Sequence, residues 1–468
     1  VTRITLLLVC MVGGPALHAA TPARLAPLSF SLLKLGQANS GRAVLVVGGI
    51  QGDEPGGFNA ASLLATRYRI RGAALWVVPN LNFPSIVQRS RGTHGDMNRK
   101  FRRVARDDPD FEPVQRIKAI ITAPEVDYIL NLHDGSGFYR PTYIDKARNP
   151  RRWGQSIIID QERIDVRGNG ELGSLARAVA DEVNARIEVP KHAYHIRNTK
   201  TRDGNREMAK TLTYYAINQA KPAVGIEASK ALPTHLRVYY HLRVIEAYLR
   251  RLGLAIERDF ELSPEGVKRA IDDNPRLSFY GHRLMLDMRR ARKRLAYIPL
   301  RKDGPIEFRA SSPLVALTRA AHGYRVSYGN RRVTQLDVQP FDYDASLDGI
   351  SMRVDGRTTA VTFGSVVDVA HEFEVATQLG YRVNVIGWRR CGVRDESGHA
   401  IRRADIAPRF SVDRGATLFR VEVYRGPKFT GMVLARFGGQ ADAARRTRPA
   451  VYTASRELDD AASGAAGR

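Results

Sequence analysis

Gly48-Gly49-Ile50-Gln51-Gly52-Asp53-Glu54-Pro55 directly follows the apolar run Ala43-Val44-Leu45-Val46-Val47. The run reads as a buried strand. The glycines then let the backbone turn sharply and bring polar side chains out at the strand's C-terminal end. Gln51 and Glu54 are three residues apart, so one turn of helix or a tight loop aims both at one point. A glutamate oxygen is an ordinary zinc ligand, whereas a glutamine amide oxygen is an uncharged and poorer donor. Taken alone, the stretch also fits any glycine-rich turn after a strand.

Working outward, Asp127-Tyr128-Ile129-Leu130-Asn131-Leu132-His133-Asp134-Gly135 is a second apolar strand, ending in a histidine and a glycine. On a parallel sheet His133 falls on the same edge as Gln51 and Glu54, where open α/β sheets place their ligands. Three protein ligands plus water is the open coordination of catalytic zinc. A third strand, Ala223-Val224-Gly225-Ile226, runs into Glu227-Ala228-Ser229. A carboxylate there is placed to take a proton from an activated water and pass it to a leaving amine. Between the first two strands lies Arg89-Ser90-Arg91-Gly92-Thr93-His94-Gly95-Asp96-Met97-Asn98-Arg99-Lys100-Phe101. An Asn-Arg pair beside a metal suits a substrate's terminal carboxylate, because the arginine fork makes bidentate contacts.

These four stations, in this order, resemble the zinc carboxypeptidases of the M14 family. That family's pattern is His-x-x-Glu, an arginine, an Asn-Arg pair, a second His and a late catalytic Glu. Gln51 to Asn59, Gly95 to Phe101, Leu132 to Gly135, Leu212 to Gln219 and Glu227 to Lys230 narrow the resemblance. They look like the cell-shape-determining D,L-carboxypeptidases of curved and helical bacteria, where a glutamine as first zinc ligand is itself a feature. The resemblance implies zinc on Gln51, Glu54 and His133, with Glu227 as general base and later general acid. It implies Arg91, with Arg89 as second candidate, for the oxyanion or the substrate carboxylate, and Asn98 with Arg99 for the terminal carboxylate. It implies trimming of peptidoglycan muropeptide tripeptides to dipeptides at the γ-D-glutamyl–meso-diaminopimelate bond. It also implies a carboxypeptidase-like α/β catalytic domain with a mixed sheet, then a small β-barrel and an immunoglobulin-like sandwich. Asp53 and Asp134 are candidate supports of the metal ligands by adjacency. Tyr139-Arg140, Trp153 and the polar loop Asn198 to Arg202 are candidate pocket residues.

At 468 residues the chain holds roughly two to four domains. The net charge of +25 asks for an acidic partner. The basic residues are spread, and no zinc-finger, RNA-binding or helix-turn-helix pattern accompanies them, so nucleic acid is not expected. An anionic wall polymer fits instead. Residues 1–20 read as a signal peptide, with Arg3 as positive end, an apolar core from Ile4 to Val12 and Leu17-His18-Ala19-Ala20 as cleavage region. The apolar core is short for a bilayer span. Periplasmic export without a transmembrane segment in the mature chain is the expectation. Of two cysteines, Cys10 falls in this segment, leaving Cys391 without an intrachain partner.

Strand and helix patterns alternate up to about residue 260, including Ala73 to Pro79, Gly173 to Ile187 and Leu236 to Leu252. Beyond that, short strands separated by Gly-Asn, Asp-Gly and Pro signals dominate. The expected division is 21–260 catalytic, 261–348 barrel-like, 349–437 sandwich and 438–468 a disordered tail. The β-rich parts could dock to the wall or to a protein partner. Competing readings are a murein amidase or an acylase of the aspartoacylase type, a wall-binding scaffold with a degenerate metal site, and a nucleic-acid binder motivated by charge alone.

Overall fold

The computed structural model describes residues 25–36, 41–166, 168–272 and 275–438. The expected signal segment and residues 439–468 of the expected tail lie outside the described residues.

A seven-stranded sheet organises the first half. Its strands are β1 (Leu33–Leu35), β2 (Ala43–Val47), β3 (Ala74–Val78), β4 (Val126–Gly135), β5 (Ser156–Ile159), β6 (His195–Asn198) and β7 (Ala223–Ser229). Their spatial order is β1-β3-β2-β4-β7-β5-β6. The four central strands run parallel, β1 is antiparallel to β3 and β5 antiparallel to β7, so the sheet is mixed. β2, β3 and β7 are buried at every residue, as expected of strands covered on both faces. That is why they read as unbroken apolar runs rather than alternations.

The covering helices are α1 (Pro55–Arg67), α2 (Phe83–Gln88), α3 (Phe111–Thr122), α4 (Leu172–Asn184), α5 (Leu212–Asn218), α6 (Thr234–Arg251) and α7 (Pro264–Asp272). α3 buries Val114, Ile117 and Ile121, a stripe at helical spacing. α1 is buried from Gly56 to Ala65, packed between the sheet and α6. α7 packs on α6 and α1, so the helical layer continues past residue 260.

Two small sheets follow, one of three strands and one of four. The last unit pairs two four-stranded sheets across a second core that includes Met352, Phe373, Val385, Phe419 and Val433. Its strand Leu418–Arg425 shows how the units join. Phe419, Val421 and Val423 face the second core, while Arg420 and Glu422 form a buried 3.1 Å ion pair on the other face. Arg420 also donates to the carbonyls of Ala296 and Tyr297 at 2.9 and 3.0 Å. The alternate residues Leu418 and Tyr424 join the first core, which runs on from the first half of the chain. Cys391 is exposed and free. Among the described residues, no helix is long and apolar enough to cross a membrane.

Candidate active site

The C-terminal ends of β2, β4 and β7 open into a cleft of about 300 Å³. All seven side chains expected from the sequence line it: Gln51, Glu54, Arg91, Asn98, Arg99, His133 and Glu227. Gln51 lies in the turn after β2, where Gly49 takes a φ of +73°. Glu54 is the residue before α1, and Pro55 opens that helix. The following Gly56 lies so close to Asp134 that a Cβ would stand 2.2 Å from Asp134 Oδ1. Gly56 N–H donates to Asp134 Oδ2 at 2.8 Å, which ties the start of α1 to the end of β4. On the adjacent parallel strands, His133 and Glu227 stand in direct register.

Three donor atoms converge. His133 Nδ1 is 3.0 Å from Glu54 Oε2 and 3.1 Å from Gln51 Oε1. Ligand atoms held about 2.0–2.2 Å from one tetrahedral ion lie about 3.3–3.6 Å apart, close to these separations. The donor set therefore fits a divalent cation. No group of three His, Cys, Asp or Glu among the described residues is arranged for a metal, so the set depends on the Gln51 amide oxygen.

The surroundings fix each donor. Gln51 Nε2 donates to Asp96 Oδ1 at 2.8 Å, which turns Oε1 toward His133. Asp96 also accepts from Asn98 N–H at 3.0 Å and from Arg91 Nε at 3.0 Å. Burial works against the Asp96 charge, but the Gln51 amide and Arg91 outweigh it and hold its carboxyl below the usual range. Glu54 Oε2 accepts from Asp134 N–H at 3.1 Å, and its Oε1 lies 3.4 Å from Lys230 Nζ and 3.5 Å from Arg91 Nη1. Burial likewise opposes a charge on His133, yet the Glu54 contact prevails and its pKa is raised.

Glu227 is 9% exposed, and its Oε2 has no hydrogen-bond partner among the described residues. Burial pushes its carboxyl up to about 8; His133 pulls against the shift, and Glu54 and Asp134 add to it. An unpartnered buried carboxyl facing a cleft is a group awaiting a proton or a cation.

The two arginine candidates separate clearly. Arg89 ends α2 in the left-handed region and sends Nε to the Asn330 carbonyl at 2.5 Å, whereas Arg91 lines the cleft. Asn98 Oδ1 accepts from Leu212 N–H at 3.0 Å, and Arg99 Nη1 donates to the Asn98 carbonyl at 3.2 Å. Of the supports expected by adjacency, Asp134 contributes through its backbone N–H. Asp53 instead bonds Lys230 at 2.9 Å. Asp96, which adjacency does not single out, is the residue that orients Gln51. Trp153 lines the cleft, with the Arg197 guanidinium 3.7 Å above its ring. Arg140 is turned away onto the carbonyls of Tyr139, Lys191 and Ala193. Thr199 and Thr201 bond the buried Asp160, and from the same segment of chain Thr211 and Thr213 line the cleft.

This arrangement is the one expected of a metallohydrolase of the carboxypeptidase type, and the comparisons show that class. Residues 3–272 match the model of a catalytic domain described as a carboxypeptidase controlling helical cell shape. Residues 343–438 match the C-terminal domain of a metallo-carboxypeptidase. The chain belongs to this family of cell-shape carboxypeptidases. Among solved structures it is similar to the apo form of the cell shape determinant Csd4 from Helicobacter pylori, at 37% identity and a TM-score of 0.80, covering 87% of this chain and 100% of that one. The tripeptide-bound form of Csd4 gives the same figures. A diaminopimelate-bound form, described as a D,L-carboxypeptidase, matches at 36% identity and a TM-score of 0.80, covering 86% of this chain and 100% of that one. No curated protein sequence matches the chain.

Proposed function

We propose that the protein is a zinc-dependent D,L-carboxypeptidase that trims muropeptide tripeptides to dipeptides in the periplasm, and thereby influences cell shape. The observation that carries the reading is the convergence of Gln51 Oε1, Glu54 Oε2 and His133 Nδ1 beside the unpartnered Glu227 carboxyl. The tripeptide-bound and diaminopimelate-bound forms of Csd4 support the substrate class.

In this reading Gln51, Glu54 and His133 hold zinc. When bound, zinc would polarise the scissile carbonyl and acidify a water. Glu227 takes a proton from the attacking water and returns it to the departing diaminopimelate nitrogen. Arg91 meets the developing oxyanion, the kind of preorganised charge that contributes most to such reactions. Asn98 and Arg99 grip the free carboxylate next to the bond, which makes the enzyme an exopeptidase. The division expected from the sequence stands as part of the proposal, with α7 extending the catalytic unit. The two small sheets are read as a barrel-like unit and the last pair as an immunoglobulin-like sandwich.

The test is incubation of the purified protein with muropeptide tripeptide, with zinc or with a chelator, products being read by mass spectrometry. Zinc-dependent release of diaminopimelate that disappears in Glu227→Ala is expected. Bound zinc without release from tripeptide would redirect the reading to amidase or acylase substrates. Neither zinc nor release would make the protein a scaffold.

A further inference from the structure

Asn131 stands two residues before His133 on β4, and alternate strand residues share a face. It is 1% exposed, and its Nδ2 lies 2.8 Å from His133 Nε2. Its Oδ1 is buried with no hydrogen-bond partner among the described residues. The other amide near Nε2 is that of Asn98, whose Nδ2 is 3.5 Å away. That amide cannot turn round without losing the Leu212 N–H held by its Oδ1, so it can only donate.

We propose that Asn131 is a positioning residue that serves both tautomers of the His133 ring and thereby sets how tightly the site holds its metal. The inference rests on the reading of His133 as a metal ligand. With Asn131 Nδ2 facing Nε2, that nitrogen accepts and the ring proton sits on Nδ1, pointing at Glu54 Oε2 and Gln51 Oε1. A protonated Nδ1 has no lone pair for a metal. Ligation through Nδ1 requires the proton on Nε2 and an acceptor facing it. A half-turn of the Asn131 amide supplies that acceptor, bringing Oδ1 to the place of Nδ2. One N–H bond is lost at Nδ1 and one is made at Nε2, so the ring keeps a single proton. Metal-ligating histidines commonly face a carboxylate, which only accepts and favours the ligating tautomer alone. An amide stabilises the metal-free ring as well, and so weakens metal binding relative to a carboxylate.

The experiment is competition for zinc between the full-length protein and a chelating dye, with wild type, Asn131→Leu and Asn131→Asp. Asn131→Leu keeps the size but removes both hydrogen-bonding groups, and should weaken zinc binding about 10–100-fold. Asn131→Asp should bind zinc more tightly than wild type. It also keeps the proposal falsifiable if Asn131→Leu does not fold, as checked by thermal unfolding. Nitrogen-15 NMR of the His133 ring adds a readout that mere packing would not move. The proton should be on Nδ1 without zinc and on Nε2 with it in wild type. Wild-type zinc affinity in both folded variants, or an Nε2 proton in both states, overturns the inference. A wild-type protein that binds no zinc overturns the metal-site reading and this inference together.

Discussion

Asp96→Ala should loosen the metal without touching a ligand. Asp96 Oδ1 is 2.8 Å from Gln51 Nε2, and this bond decides which end of a symmetric-looking amide faces His133. Without it, Gln51 can present its NH₂ group, which has no lone pair to offer a cation. A hydrogen bond to a charged group contributes about 1.5–3 kcal/mol. At about 1.36 kcal/mol per tenfold, that is one to two orders of magnitude in affinity. Outer partners of metal ligands cost about 10–100-fold when removed, which agrees. The assay is zinc competition at neutral pH, repeated in a Gln51→Leu background. If Asp96 acts through Gln51, its removal costs little once Gln51 is gone, and the two substitutions are strongly non-additive. Wild-type zinc affinity in a folded Asp96→Ala protein would refute the reasoning. An equal loss in the Gln51→Leu background would show that Asp96 acts through Arg91 instead.

Gln51→His should bind zinc more tightly with altered turnover, and unchanged affinity in the same competition assay would count against Gln51 as a ligand. Glu227→Gln should lower kcat by about 10²–10⁴-fold while zinc stays bound, as steady-state kinetics and metal analysis would show. The same substitution should stabilise the metal-free protein. With its folded pKa raised to about 8, Glu227 contributes favourably below its ordinary range near pH 4, and that contribution is lost as pH rises through about 8. The gain in Tm from Glu227→Gln should therefore be larger at pH 9 than at pH 5. Asp134→Ala removes the acceptor for Gly56 N–H, Arg237 and His241, and leaving such donors unpaired should cost about 1–3 kcal/mol. Burial opposes the Asp134 charge, but His241 and Arg237 outweigh it and depress its pKa, so this stabilisation holds above about pH 4 and is lost below. Thermal unfolding of both proteins across that range would check it.

Much of the catalytic half is legible because its central strands are buried on both faces, leaving apolar runs whose ends mark one sheet edge. Gln51, Glu54, His133 and Glu227 all stand at such ends, so strand order alone brings them together. What adjacency cannot supply is the choice of partner across a turn. Asp53 and Asp134 flank the proposed ligands in sequence, yet Asp96, forty-five residues from Gln51, holds its amide. Arg89 and Arg91 are equivalent as letters; the left-handed end of α2 separates them by turning Arg89 toward Asn330. The strand from Leu418 to Tyr424 shows a different limit. Its alternation of apolar and charged residues is the pattern of a half-exposed strand, but Arg420 and Glu422 are buried against the neighbouring unit, where they form an ion pair and Arg420 donates to two carbonyls.

The site's own logic follows from amides standing where charged or imidazole groups are usual. In the proposed site Gln51 would offer the cation a neutral oxygen, and Asn131 gives His133 a partner that can donate as well as accept. Neither adds negative charge to a cleft that already holds Glu54, Asp134 and Glu227. Each added carboxylate would tighten the metal, but it would also raise the Glu227 pKa further, as Glu54 and Asp134 already do. Uncharged side chains at Gln51 and Asn131 add nothing to that shift, and in the proposed site the cost of that choice falls on metal affinity. Gln51→His and Asn131→Asp separate the two effects. The first leaves the formal charge unchanged and the second adds one, so only the second should move the pH dependence of kcat toward higher pH.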